Sequence, residues 1–586
     1  MSFVRVFIVH YTWFILFCFL TFFSRLTRFY IFYTNSSLLF SFPLFSTSTM
    51  DLKATFLLDS VSSPFMRVVL LISTIIIIYS FNYISPYSKP SYFLWLTVLF
   101  VTSMLLVISM PNLFFAILGW DGLGLVSFFL IVYYQNQSSI VSGVFTLLIN
   151  RIGDRFFLCR LILMFYFSPD FTFFSSDLPS FLVVTMLVLT FITKRALYPF
   201  SPWLPLAIAA PTPISALVHS STLVTAGLYL IIRFNYVLYR SPEVLQYLFI
   251  ARIFTSFYAG INTMFEVDLK KLIALSTLSH LGFIGIAFSI GLLYLRFFHL
   301  LVHALFKSLL FITIGDIMIN LNHAQDARYL SGGYFITPFS VFIISVSLLN
   351  LLGMPRVRGF FSKDLVLETL SYSNASWFIE LVLYINVFFT YYYTYKLFYF
   401  SFSSTKLNAY QLHHSVVLTH VALITGLALS TLFFSSLFIG RIFSYVIFYS
   451  LPLTVKFLPL LINLRVFSYL FVFIALPTIK TKLASNYGSS MLFLSNITLT
   501  FSSNTYYSLL FNSVKSTELG LINYSLNTQF TKPINSLSAS LIASLYKVQS
   551  TVLSVSMFVL FIVFLSLFIL LNNISLLYMT VTHNIS

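Results

Sequence analysis

The stretch FFHLLVHALFKSLLFITI, Phe297 to Ile314, decides the fold of this chain. It lies in a run, Leu295–Ile319, that is nearly all Leu, Phe, Ile, Val and Ala. Within it His299, His303 and Lys307 follow one another at spacings of four. A run of that kind reads as a helix crossing a bilayer, which takes about 20 apolar residues. Groups at i, i+4 and i+8 share one face of such a helix. An ammonium near mid-span costs about 3 kcal/mol on insertion scales and cannot easily snorkel to an interface. Facing lipid, the three groups would be pure cost, so their face is expected to look into a helix bundle or a water wire. A lysine able to be charged or neutral there carries a proton, and histidine, which titrates near neutrality, suits the next step of a relay. The plainer alternative is a satisfied histidine pair with one structural ion pair. Three ionisable groups on one face in hydrocarbon favour proton transfer.

Composition extends that reading to the whole chain. Of 586 residues, 59% are hydrophobic, 19% aromatic and only 8% charged. A soluble domain carries about 25% charged residues, so this chain cannot clothe a water-facing surface. A mean hydropathy of +0.95 agrees. The net charge of +17 comes from basic residues spread singly and mostly flanking apolar runs, as in Arg25/Arg28, Arg233/Arg240 and Lys270/Lys271. That is the pattern of topology-setting loop charge, so nucleic acid is not expected as a partner. Cys18 and Cys159 offer neither a disulfide framework nor metal-ligand spacing. No phosphate loop, CxxC or dinucleotide fingerprint occurs, and any redox chemistry is expected to belong to other chains. The N-terminus, apolar from its start, reads as a retained first spanning helix rather than a cleaved leader.

Candidate spans lie near 3–23, 29–46, 64–84, 92–110, 112–134, 141–164, 179–198, 211–233, 244–263, 272–293, 295–319, 335–353, 364–400, 416–440, 441–460, 462–477 and 552–571. The expected fold is therefore an all-α polytopic membrane protein of about 14–17 transmembrane helices. Two places break the pattern. Lys194–Pro213, KRALYPFSPWLPLAIAAPTP, holds five prolines in 20 residues, and Gly353–Gly359, GMPRVRG, precedes Phe360–Asp364, FFSKD. Proline removes a helix hydrogen bond. Irregular backbone at membrane depth survives only inside protein or beside a wet cavity, and paired broken helices point to a transport site. Each break lies close to a lysine, Lys194 and Lys363. Residues 478–550, rich in Ser, Asn and Thr, read equally as an amphipathic element along the membrane or as a long loop.

Other buried charges fit the same scheme. Asp121, in GWDGLGL, sits near mid-span among glycines that let another helix approach, and Lys194 is its expected cationic partner. Such a pair is either a switch or a static tie between helices. His219 sits among Ser220, Ser221, Thr222 and Thr225, which either extend a hydrogen-bonded wire or merely satisfy the ring. Asp154, with Arg151 and Arg155, reads as a structural pair near a helix end. Glu266, Asp268, Lys270 and Lys271 read as an interfacial loop.

These stretches together resemble the antiporter-like membrane subunits of respiratory complex I. The matching strings are GWDGLGLVSF (119–128), NRIGD (150–154), PWLPLAIAAPTPISALVHSSTLVTAGLYLIIRF (202–234), DLKKLIALSTLSHLGF (268–283), HALFKSLLF (303–311), NHAQDARYLSGG (322–333) and GFFSKD (359–364). They run in the family's order over roughly 100–370. The layout after 370 resembles the longest of those subunits, with its lateral helix and anchor. The resemblance implies two inverted five-helix repeats, at 112–234 and 244–400. They would follow N-terminal helices in 1–111 and precede further helices in 401–477, a lateral helix over 478–550 and an anchor helix in 551–586. It implies that Asp121 pairs with Lys194, that Lys307 stands at the centre, and that Lys363 hands the proton out, with His219, His299 and His303 as links.

There are departures from the family pattern. The acid is Asp where many members have Glu, and Arg195-Ala196-Leu197-Tyr198 replaces the usual small and amide residues after the lysine. Ala210 stands before Pro211 where Gly is common, and Arg356 and Arg358 add charge at the second break. The implied function is proton translocation across the mitochondrial inner membrane by a subunit of NADH:ubiquinone oxidoreductase. The implied partners are other membrane-arm subunits, especially another antiporter-like one, together with membrane lipids. No cofactor is expected in this chain; FMN, iron–sulfur clusters, NADH and ubiquinone would be bound by other subunits. A Na⁺/H⁺ antiporter subunit of the same superfamily is the alternative, and a scaffold with purely structural charges is the third reading.

Overall fold

The computed structural model describes residues 2–402, apart from 35, 47–50, 85–89, 168–180, 221, 240, 289–292, 322–323, 331–336, 355–356, 358, 365 and 369–376, and beyond them only 461–462, 465–466 and 579–580. The chain divides into two compact units, 1–491 with 580–586 and 492–579, and the structure described below belongs to the first. The helices expected over 401–477, the lateral element of 478–550 and the anchor of 551–586 thus lie almost wholly outside the described residues.

The N-terminal half of the described chain runs α1 (Ser2–Thr34), β1 (Leu38–Ser46), β2 (Asp51–Leu58), α2 (Ser62–Ile84), α3 (Pro90–Ser109), α4 (Leu113–Ile131), α5 (Gln137–Phe167) and α6 (Phe181–Lys194). A short helix α7 (Trp203–Leu206) and a 3₁₀ turn lead to α8 (Thr212–Ser220), α9 (Leu223–Arg233) and α10 (Asn235–Tyr239). Then come α11 (Pro242–Phe265), α12 (Leu269–Phe288), α13 (Leu293–Asn320), α14 (Pro338–Leu352), a π-helical turn at Phe360–Asp364, and α15 (Trp377–Phe402). Eight of the described helical segments are long and apolar enough to cross a membrane, and α6 and α14 are shorter apolar helices.

The span expected at 29–46 is corrected. Helix α1 runs on to Thr34, and LLFSFPLFS then pairs antiparallel with DLKATFLL as a hairpin, irregular between Pro43 and Phe45. Apolar length alone does not separate a strand from a helix. Here Pro43 denies a helix one of its bonds, and the aromatic residues suit a strand. Asn112, the N-cap of α4, ties the hairpin to the bundle by donating from Nδ2 to the Lys53 carbonyl at 3.1 Å.

Successive helices pack as neighbours: α1 on α2, α3 on α4, α4 on α5, α5 on α6 and α11 on α12. Helix α13 is the hub, packed against α2, α8, α12 and α14, and its spanning segment is wholly buried. Helix α15 lies against α11, α12 and α14. Gly119 of α4 explains one close approach, because a Cβ there would stand 2.8 Å from the Ser103 carbonyl and from Val107 of α3. A clamp closes one end of α9. Arg233 donates from Nη2 to Asp59 Oδ1 at 2.8 Å and from Nε to the Tyr229 hydroxyl at 2.8 Å, while that hydroxyl donates to the Ile108 carbonyl at 2.7 Å.

Both expected breaks are present. Helix α6 stops at Lys194, Ala196 takes a positive φ of 53°, and only the one-turn α7 and a 3₁₀ turn interrupt irregular backbone before α8 begins at Thr212. The segment 211–233, read from sequence as one span, is interrupted once more. Thr222 leaves helical geometry at φ −124°, ψ −79°, and both its N–H and its hydroxyl donate to the Leu217 carbonyl. At the second break α14 is capped by Gly353 at φ 77°, a conformation that costs glycine least. Of the span read as 364–400, the structure describes Asp364 at the end of the π-helical turn, helical residues 366–368 and α15.

Candidate functional site

The break after α6 leaves Lys194 at the end of a helix inside the bundle, with its side chain 1% exposed. Its Nζ donates to the Trp120 carbonyl at 3.3 Å and lies 5.0 Å from the centre of a Trp120 ring. The carboxylate nearest to it is Asp154 of α5, at 3.8 Å and 7% exposed. Asp121 sits on the far side of this group, 3.6 Å from Arg151, with both side chains more than one-third exposed. Arg151 also stands 3.7 Å from Asp154. The expected Asp121–Lys194 pair is therefore corrected to Asp154–Lys194, because α5 packs directly on α6 and turns Asp154 inward. Asp121 still attracts Lys194 through space. His219 of α8 is buried near α13, its ring 6.1 Å from that of Phe311, and among the described residues its Nδ1 has no hydrogen-bond partner.

The centre lies where α12, α13, α15 and the second break meet. Lys307 has no exposed surface, and Lys363 and His303 are each 1% exposed. Lys307 donates from Nζ to Ser276 Oγ of α12 at 2.6 Å and lies 5.2 Å from the Tyr393 ring centre. Lys363, in the π-helical turn, donates to Thr390 Oγ1 at 2.8 Å and lies 4.7 Å from the Tyr391 ring centre. His299 joins this turn through its Nδ1, 2.9 Å from Ser362 Oγ.

Three groups here escaped the sequence reading as functional residues. His280 of α12 has Nε2 2.8 Å from the Tyr393 hydroxyl, and its ring lies 5.4 Å from that of His303 and 6.3 Å from that of His299. His280, His299, His303 and Lys363 line a cavity with Asn350, where the room for water centres is about 10 Å³. That is about the room one water needs. Among the described residues no group of three or more His, Cys, Asp or Glu is arranged to hold a metal ion. The signal for His280 was present in LSTLSHLGF, a lone imidazole in an apolar run. Ser276 and Tyr393 gave no comparable signal.

Two arginines frame the same helix. Arg195 donates from Nη2 to the Leu281 carbonyl at 3.1 Å, and Arg252 of α11 donates from Nη1 to the Gly285 carbonyl at 2.7 Å. Both acceptors belong to α12, and both arginines are fully buried.

The sequence-predicted residues thus form two groups. Lys194 sits beside Asp154 and Asp121, while His303, His299 and Lys363 line the cavity, with Lys307 one turn from His303 on α13 and His219 on α8 packed against α13.

Comparison with known proteins gives these groups a family. Residues 110–390 match the family model described as NADH:quinone oxidoreductase/Mrp antiporter, TM, and residues 44–94 match that of the complex I chain 5 N-terminus. NADH-ubiquinone oxidoreductase chain 5 of Aedes aegypti is 44% identical over 372 residues, covering 62% of this chain and 64% of that one. The Locusta migratoria protein of the same name is 42% identical over 425 residues, covering 71% of this chain and 74% of that one. Among solved structures, the Mrp complex from Dietzia sp. DQ12-45-1b superposes with a TM-score of 0.63 at 22% identity over 84% of this chain and 59% of that chain, a likeness of fold alone. On the two family models and the insect relatives together, this chain belongs to the NADH-ubiquinone oxidoreductase chain 5 family.

Proposed function

We propose that the chain is a proton-translocating membrane subunit of NADH:ubiquinone oxidoreductase. The observation that carries this is the buried row of lysines, histidines and hydroxyls from Lys307 to Lys363. Ionisable groups at membrane depth are costly and mark ion pathways when they face the bundle interior. Lys194 with Asp154 and Asp121 forms the switch at one end, Lys307 the centre, and Lys363 the exit, with His219, His299 and His303 as links. Moving one charge against 100 mV takes about 2.3 kcal/mol, so coupling must shift a buried pair by at least that much. The redox groups, FMN and iron–sulfur clusters, together with the NADH and ubiquinone sites, belong in this reading to other subunits. The mitochondrial inner membrane is the compartment that the insect relatives' name suggests.

Two further parts of the reading rest on narrower support. The two breaks, each beside a buried lysine, fit a pair of inverted repeats over 112–234 and 244–400. The Asp121–Arg151 pair lies on the outward side of α4 and α5, among exposed Leu118, Leu125 and Leu148. A half-exposed ion pair on a lipid face would be pure cost, so another membrane subunit is the natural cover for it.

The test is Lys307→Met in the native complex, with assembly followed by subunit content and proton pumping followed in closed vesicles oxidising NADH. Pumping is expected to be lost while the complex remains assembled. Full pumping would refute the relay. The matching family model, whose description also names the Mrp antiporter, is the ground for an ion-antiporter reading of the same residues. Co-purification of the chain with membrane subunits only, and without NADH oxidation, would favour that reading.

A further inference from the structure

We propose that Tyr393 is a proton-relay residue, which with Ser276 joins Lys307 to His280 and opens a route from the central lysine to the histidine-lined cavity through α12 and α15. This rests on the proton-translocation reading and adds a path to it. By spacing, His303 is the next station after Lys307, one turn away on α13. The geometry favours a different first step. The hydrogen bond that Lys307 makes goes across to Ser276 of α12 at 2.6 Å, while among the described residues neither ring nitrogen of His303 has a hydrogen-bond partner. Tyr393 stands beside this pair, its ring centre 5.2 Å from the Lys307 Nζ that Ser276 holds. The Tyr393 hydroxyl is 2.8 Å from His280 Nε2. The path therefore leaves α13 at Lys307, crosses α12 and α15, and returns at the cavity.

The proton count balances along this path. The Lys307 ammonium gives one proton to Ser276 Oγ, the Ser276 proton passes to the Tyr393 oxygen, and the Tyr393 proton passes to His280 Nε2. Each hydroxyl ends with one proton, Lys307 ends neutral, and His280 ends as the imidazolium. No electron moves and no other bond changes. His280 then releases the proton from Nδ1, which among the described residues has no hydrogen-bond partner. One water in the cavity is enough to carry it to His303 or to His299 Nε2, both likewise without a partner. His299 is linked through Ser362 to the turn that holds Lys363. At rest the Ser276 hydroxyl donates back to the Ile273 carbonyl at 2.6 Å. A single torsion of that hydroxyl therefore makes or breaks the wire.

The experiment compares Tyr393→Phe, His280→Gln and their double variant in the native complex, in closed vesicles driven by NADH. Tyr393→Phe keeps the ring beside Lys307 and removes only the hydroxyl. The readouts are initial pumping rate per assembled complex and its ratio in H₂O and D₂O. The expected result is a fall of about tenfold or more in each single variant. The double variant is expected to fall no further, because both residues serve one path, and the solvent isotope ratio should change. Wild-type pumping in assembled Tyr393→Phe with an unchanged isotope ratio would overturn the proposal, and so would losses that multiply in the double variant. If Tyr393→Phe does not assemble, Ser276→Ala breaks the same wire at its other joint and is judged by the same results. Loss of pumping in Lys307→Met alongside full pumping in Tyr393→Phe would remove this path alone. Full pumping in Lys307→Met would remove the translocation reading itself.

Discussion

Replacing Asp154 by Asn should disable the switch lysine, and replacing Asp121 by Asn should not. Lys194 Nζ lies 3.8 Å from Asp154 Oδ1, and neither side chain is more than 7% exposed. Two unit charges at that separation, with an effective dielectric constant of about 20, attract by about 4 kcal/mol. Removing the carboxylate charge would lower the preference of Lys194 for its charged form by about a thousandfold. Asp121→Asn removes the Arg151 contact at 3.6 Å and leaves the Asp154–Lys194 pair in place. The assay is NADH-driven proton pumping in closed vesicles, read with a pH-sensitive dye and normalised to assembled complex on native gels. Asp154→Asn is expected to pump at about one-tenth of the wild-type rate or less, and Asp121→Asn at about one-third or more. Full pumping by assembled Asp154→Asn, with Asp121→Asn silent, would refute the assignment of the pair.

Gly119→Val should destabilise the α3–α4 contact, since even a Cβ meets the Ser103 carbonyl at 2.8 Å. Overpacking of this kind costs about 1–3 kcal/mol, and thermal unfolding of the purified complex checks it. Arg233→Met leaves the partly buried Asp59 without its main cation and should cost about 2–3 kcal/mol, below the cost of breaking a fully buried pair. It should lower complex yield and thermal midpoint while pumping per assembled complex stays near wild type. Glu266, at the end of α11, has its carboxyl pushed up by burial from 4.5 to about 7. A raised carboxyl pKa means that the folded state binds this proton more tightly than the unfolded state. Stability from this group therefore falls as pH rises from about 4.5 to about 7 and stays low above that. Glu266→Gln should flatten that part of the stability–pH curve, and thermal midpoints between pH 5 and 8 measure it.

Much of the architecture was legible because oil and charge leave little freedom. The run holding Lys307 read as a buried helix, and the five prolines beside Lys194 read as a break, a kinked helix or plain loop being the alternative. Three things were not legible, each for a physical reason. The strand at Leu38 carries the same apolar length as a helix end, and only its pairing with Asp51–Leu58 decides it. The Asp154–Lys194 pair depends on which helix packs on α6, which no local spacing encodes. Tyr393 is one of four tyrosines between Tyr391 and Tyr395, which point to several faces of α15. Packing against α12 and α13 singles out one of them. His280 carried the same signal as His303, an imidazole in oil, and becomes informative once α12 lies beside α13.

The two arginines on α12 have a mechanical consequence. Arg195 follows the switch lysine and holds the Leu281 carbonyl, and Arg252 of α11 holds the Gly285 carbonyl one turn further on. Hydrogen bonds from charged donors are worth about 1.5–3 kcal/mol each. Helix α12 is therefore bolted at two successive turns to two different neighbours. It can neither roll about its axis nor slip by a turn without shearing both bolts. Any stroke that reaches the break after α6 arrives at His280, the residue before Leu281, as a displacement of the whole rod. Lysine switch and histidine cavity are geared through that rod, so the timing between them is set by its stiffness as much as by the electrostatics at either end.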